Sequence, residues 1–79
     1  MLDNKWHYTK EDDYPQLFGE YENKHYPQIP CLVEDLWGYG VRYWNITEDC
    51  WDDEECDDFY CKKDAVIRWR YLDSLIEEK

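Results

Sequence analysis

Apolar residues concentrate in two places along the chain, and each suggests extended structure. In the middle, Pro30-Cys31-Leu32-Val33-Glu34-Asp35-Leu36 reads as one strand and Tyr39 to Ile46 as a second, richer in residues that favour pleated backbone. The link Trp37-Gly38-Tyr39-Gly40 places two glycines where a tight turn needs positive φ, so the pair reads as a β-hairpin. Alternation is imperfect, with large apolar groups at both parities, as expected for a sheet partly covered on each face. Further on, Ala65, Ile67, Trp69 and Tyr71 alternate with Val66, Arg68 and Arg70, which suits a strand. Ala65, Trp69, Leu72 and Ile76 also fall at helical spacing, with Asp64 as a candidate N-cap. A strand over about 65–71, followed by a helical turn or tail from Asp73, leaves fewer unpaired edges.

Residues 1–28 are polar, aromatic and punctuated by proline. Tyr14-Pro15-Gln16 recurs as Tyr26-Pro27-Gln28, and both sites read as extended entries or turns. Between them, Gln16 to Tyr21 is expected to form one helical turn closed near Gly19. The pattern therefore predicts a single small domain over residues 1–79, in the α+β class and mostly β. It is an antiparallel sheet of three to four strands with an N-terminal arm over 1–28 and a short helical turn. The sheet spans 29–72 and includes an acidic loop over 47–63, and a tail follows over 73–79.

Composition narrows the function. Nine Lys plus Arg stand against 20 Asp plus Glu, a formal net charge of −11. That argues against direct binding to nucleic acid or to an anionic membrane, which both need a basic face. Aromatics make up 19% of the chain, unlike the composition of disordered acidic segments, so the chain is expected to fold. No apolar run has the length of a signal peptide or a membrane span, and the expected location is the cytoplasm. There Cys31, Cys50, Cys56 and Cys61 stay as thiols, and the Asn45-Ile46-Thr47 sequon carries no meaning.

The densest charge lies over Glu48 to Asp58, eight acids in eleven residues without a base. Self-repulsion predicts a solvated loop there, its ends held to the core by Trp51, Phe59 and Tyr60. The run Tyr43-Trp44-Asn45, then Cys50-Trp51-Asp52-Asp53-Glu54-Glu55-Cys56-Asp57-Asp58-Phe59-Tyr60-Cys61, then Arg68-Trp69-Arg70-Tyr71-Leu72 resembles a family of short uncharacterised proteins of gut Bacteroidetes and their phages and prophages. It is also similar to a broader group of small phage proteins. There a P-x-x-x-x-V-L-V strand leads to a strand containing Trp and then to a closing H-W-M-x-L-P strand. Pro27 to Val33, Val41 to Asn45 and Ile67 to Leu72 would match these in turn. The likeness covers residues 26–72. This chain departs from it with Arg70-Tyr71 in place of Met-Pro, and with Cys56 in place of Gly. The resemblance implies a mobile-element origin and a strand over the C-terminal segment; it implies no activity.

Four kinds of chemistry remain to be weighed. Asp52, Glu54 and Asp57 could offer hard oxygen ligands to a divalent cation, although Cys56 and Asp57 break the EF-hand pattern. Cys50, Cys56 and Cys61 could hold zinc, but the five-residue gap between Cys50 and Cys56 fits no common spacing, and dense carboxylates oppose thiolate formation. Catalysis is not expected: no nucleophile elbow, phosphate loop or HExxH occurs, and a chain this short has little room for a deep pocket. No cofactor is implied. Trp and Tyr are the usual anchors of protein interfaces. Of Trp37, Tyr39, Tyr43, Trp44, Trp51, Trp69 and Tyr71, two or three are expected at the surface. The expected binding surface is acidic and aromatic: Trp44, Trp51, Asp52, Asp53, Glu54, Glu55, Asp57, Asp58 and Tyr60. The partner would be another protein or a second copy. A DNA mimic that blocks a basic protein and a divalent-metal domain are the alternatives.

Overall fold

The computed structural model describes residues 3–52 and 63–77. Among these, five strands form one antiparallel sheet: β1 (His7–Tyr8), β2 (Gln28–Asp35), β3 (Gly38–Asn45), β4 (Cys50–Asp52) and β5 (Val66–Tyr71). Their order across the sheet is β1-β5-β2-β3-β4, so β2 is central and the two shortest strands lie at the edges. Helix α1 spans Glu20–His25 and helix α2 spans Leu72–Glu77. Two 3₁₀ turns, Thr9–Glu11 and Lys63–Ala65, lead out of β1 and into β5. No described helix is long and apolar enough to cross a membrane.

The fold is mostly β and antiparallel, as the sequence pattern predicts, but with five strands rather than three or four. The additional strands are β1 and β4. Strand β4 interrupts the loop expected over 47–63, because Trp51 lies directly opposite Trp44 and both indoles leave water. Burying two such rings is worth several kcal/mol, enough to hold three residues extended beside a charged run. The N-terminal helix also sits further along than expected. Gly19, at φ 54° and ψ −136°, opens α1 rather than closing a turn. Glu20 and Glu22 then fall in the first turn and Lys24 and His25 in the last, matching the helix dipole.

Register explains the mixed parity of the strands. On the inner face, Cys31 lies opposite Tyr71, Val33 opposite Trp69, and Ile29 opposite Trp44. With Val66 and Trp51 these residues form the buried core. The N-terminal arm covers that face. Tyr14 stacks on Trp44 with centroids 4.8 Å apart, His7 stacks on Trp69 at 4.2 Å, and Leu17 and Tyr21 pack beside them. The polar heads of the core rings find backbone partners. Trp69 Nε1 donates to the Asp13 carbonyl at 2.7 Å, Trp51 Nε1 to that of Lys63 at 3.2 Å, and Tyr71 Oη accepts the Gln16 N–H at 3.0 Å. Large rings can therefore be buried without stranding a donor.

The outer face carries Tyr8, Arg68, Glu34 and Tyr39 in one row across four strands, and Arg70, Leu32 and Val41 in the next. Arg68 donates to Glu34 at 2.6 Å and to Tyr39 Oη at 2.9 Å, and its guanidinium lies 4.1 Å from the Trp6 ring centroid. Arg42 does not join this face. It lies opposite Cys31, on the inner side, where it approaches Asp35.

Candidate functional site

Register places Trp44 and Trp51, two of the residues expected on the binding surface, in the core. Trp44 is 3% exposed and Trp51 is fully buried. Each covers the other, with centroids 4.9 Å apart, so both rings belong to the core. The Asp52 carboxylate is occupied as well, accepting from Gln28 Nε2 at 2.7 Å and from Asn45 Nδ2 at 3.0 Å. It ties β4 to β2 and β3. Asp53, Glu54, Glu55, Asp57, Asp58 and Tyr60 lie outside the described residues. So do Glu54, Asp57, Cys56 and Cys61 of the candidate metal sets. Cys50 is half-buried on β4 and contacts Asp52 through sulfur at 3.8 Å. Among the described residues, no three of His, Cys, Asp and Glu converge as metal ligands.

Of the large apolar side chains that face solvent, Tyr26 lies before the start of β2, and the other four gather at the hairpin end of the sheet. Leu36 is 84% exposed, Trp37 66%, and Tyr39 62%. Leu36 and Trp37 form the turn between β2 and β3, whose last pair is Asp35 opposite Gly38. Ile67, also exposed, lies at the bulge where β5 enters beside this end of β2.

The turn is held by a buried carboxylate. Asp35 Oδ1 accepts the Trp37 N–H at 2.8 Å, and Oδ2 lies 3.8 Å from Arg42 Nη2. Arg42 in turn donates to the Val41 carbonyl at 2.7 Å. Gly38 closes the turn at φ 123°, a conformation that strains any residue with a Cβ. At Gly40 a Cβ would come within 3.0 Å of the Arg42 guanidinium, the far end of a flexible side chain. Sequence reasoning counted two glycines for the turn, and only Gly38 uses its freedom of φ. Beside the tip, the hydrogen bond that Arg68 donates to Glu34 is the main force pushing its pKa further up, with smaller contributions from Tyr39 and Tyr8, so it is a permanent charge.

The remaining titratable groups serve the arm and the core. Burial disfavours the charged form of His7. Hydrogen bonds to Asp3 at 2.8 Å and Asp13 at 2.7 Å outweigh that effect and raise its pKa. Both ring nitrogens are thus engaged. His25 bonds Asp73 at 2.6 Å, joining α1 to α2. Burial pushes the Cys31 thiol up, with help from Asp73, which makes it a poor nucleophile. Burial likewise pushes Tyr71 up to about 12, against the bond from Gln16.

The site is thus an aromatic and aliphatic tip on an ordered turn, at the end of a sheet in an acidic protein. Such a tip can recognise an apolar surface on another macromolecule. Comparison with family models, with curated proteins and with solved structures finds no match to this chain.

Proposed function

We propose that this protein is a non-enzymatic interaction module, of phage or other mobile-element origin, that docks on a protein partner through the tip of its central hairpin. Leu36 and Trp37 enter an apolar pocket of the partner, and Tyr39 flanks them. A basic rim around that pocket complements the net charge of −11. One observation carries this reading: Leu36 and Trp37 are 84% and 66% exposed on a turn whose backbone is held by the buried Asp35. A single exposed leucine is ordinary. Adjacent Leu and Trp on a preordered turn supply the two properties of an interface hot spot, large rigid apolar area and low ordering cost.

The same charge that favours a basic partner opposes self-association, so a second copy is the less suited occupant. The experiment compares affinity capture by the wild-type chain, by Leu36→Ser with Trp37→Ser, and by Lys5→Ala as a surface control. Proteins recovered are identified by mass spectrometry. A basic protein held by the wild type and the control, and released by the tip variant, is the expected result. A partner retained equally by all three chains would overturn the assignment.

A further inference from the structure

Away from the hairpin tip, a cavity of about 410 Å³ opens between the N-terminal arm and the β3–β4 connection. Asp12, Tyr14, Trp44, Ile46, Asp49 and Lys63 are among its lining residues. The Tyr14 and Trp44 rings are stacked within it. Inside it, the chain already displays one cation. Lys63 Nζ lies 4.8 Å from the Tyr14 ring centroid and 3.1 Å from Asp49 Oδ2. This is the arrangement by which proteins hold an alkylammonium, a ring face on one side and a carboxylate on the other. Charge is left over. Asp12 lines the same cavity and makes no ion pair among the described residues, yet its charge, like that of Asp49, acts on Lys63, so two carboxylates share one ammonium. Among the described residues the balance is one negative charge, which a single further cation neutralises. Asp12 and Asp49 are also the two described non-glycine residues with positive φ, 59° and 57°, each at the end of a tight turn.

We infer that this cavity is a lysine-binding site, which receives the side chain of an exposed lysine on the protein partner. The tetramethylene stem lies along the apolar wall of Leu17, Ile46 and the Tyr14 ring. The ammonium sits between Asp12 and Asp49, where Lys63 acts as an internal ligand that an incoming lysine joins or displaces. A compact ammonium suits this site better than a planar guanidinium, since the two acids stand on separate turns rather than forming one bidentate acceptor. The inference rests on the protein being an interaction module, and it adds a second, electrostatic contact to the apolar one at the tip.

The test uses the full chain and a small probe, so it does not depend on knowing the partner. Nα-acetyl-lysine methylamide is titrated into labelled protein and followed by NMR, beside the same compound acetylated at Nε and its arginine counterpart. The expected result is saturable shifts at Tyr14, at the Trp44 indole and at the Asp12 and Asp49 amides. The Kd should be on the order of millimolar, with no saturation by the neutral compound. Asp12→Asn and Asp49→Asn, which tolerate the same backbone, each weaken binding by about tenfold. Lys63→Ala removes the internal competitor and tightens binding. Trp37→Ser leaves probe binding unchanged, which separates this site from the hairpin tip. No saturable shift up to about 50 mM, equal shifts from the neutral compound, equal or tighter binding of the arginine probe, or weaker binding by Lys63→Ala would overturn the inference.

Discussion

Replacing Asp35 tests whether the hairpin tip is built or merely left exposed. Its side chain is 3% exposed, accepts the Trp37 N–H at 2.8 Å and lies 3.8 Å from Arg42. Asp35→Ala removes a charged acceptor from a backbone donor, which costs about 1.5–3 kcal/mol. It also deprives Arg42 of its carboxylate. Breaking a fully buried pair costs about 3–5 kcal/mol, but this contact is long, Arg42 keeps its bond to Val41, and its side chain is 20% exposed. The Coulombic part is therefore the smaller one, and the expected total is about 2–3 kcal/mol. Asp35→Asn keeps an oxygen for the Trp37 N–H and loses the charge, so it should cost about 1 kcal/mol. Urea unfolding of the three chains gives these differences directly, provided the m-values agree. If Ala and Asn destabilise equally, the acceptor role at Trp37 is wrong. If neither moves the midpoint, the turn is not held by this carboxylate at all.

Other consequences follow from the same geometry. Trp51→Ala should destabilise by about 3–5 kcal/mol, since the ring is fully buried against Trp44; a surface anchor would cost next to nothing in the same unfolding assay. Trp37→Ser should leave the midpoint within about 0.5 kcal/mol of wild type while abolishing partner capture, and a large loss of stability would place the ring in the core instead. Gly38→Ala, at φ 123°, should cost on the order of 1–3 kcal/mol, and a neutral result would refute the strained turn. For His7 the pKa is raised on folding, so its contribution is complete below about pH 6.5 and fades as pH climbs through the raised folded value. Asp3, whose pKa is lowered on folding, acts oppositely: its contribution is present above about pH 3.9 and fades as pH falls through the lower folded value. Thermal melts of His7→Gln should therefore lose the decline expected of the wild type as pH rises past about 6.5; parallel profiles would refute the stabilising role of the His7 bonds to Asp3 and Asp13.

The strands that were legible in the sequence are those that carry their own signal. Strands β2, β3 and β5 are six to eight residues long and rich in Val, Ile, Tyr and Trp, and their positions fall within about two residues of the pattern. Strands β1 and β4 have two and three residues, and their pairing depends on partners far along the chain, His7 on Trp69 and Trp51 on Trp44. No local pattern encodes that. Glycine commonly ends helices, whereas the positive φ of Gly19 turns the chain into one.

The binding surface was harder for a related reason. That two or three of the aromatic residues lie outside the core could be reasoned from their number, and Trp37 and Tyr39 do. Which ones could not, because burial of a ring depends on what stands opposite it. Trp44 and Trp51 adjoin the acidic run in sequence, yet register sets them against each other. Leu36 and Trp37 extend beyond the last pair of the hairpin, with no strand opposite them. The buried Asp35 was hidden among the acids of a strongly acidic chain, although an Asp two residues before a turn amide is a known turn signal.

The central claim is that the hairpin tip is rigid in its backbone and open at its side chains, and NMR of the Trp37 residue alone tests both halves. The account predicts a backbone order parameter of about 0.85 and slow exchange at the Trp37 amide, with an indole broadened by a soluble paramagnetic agent that leaves Trp51 and Trp69 sharp. A mobile Trp37 amide, or an indole as shielded as that of Trp51, would contradict it.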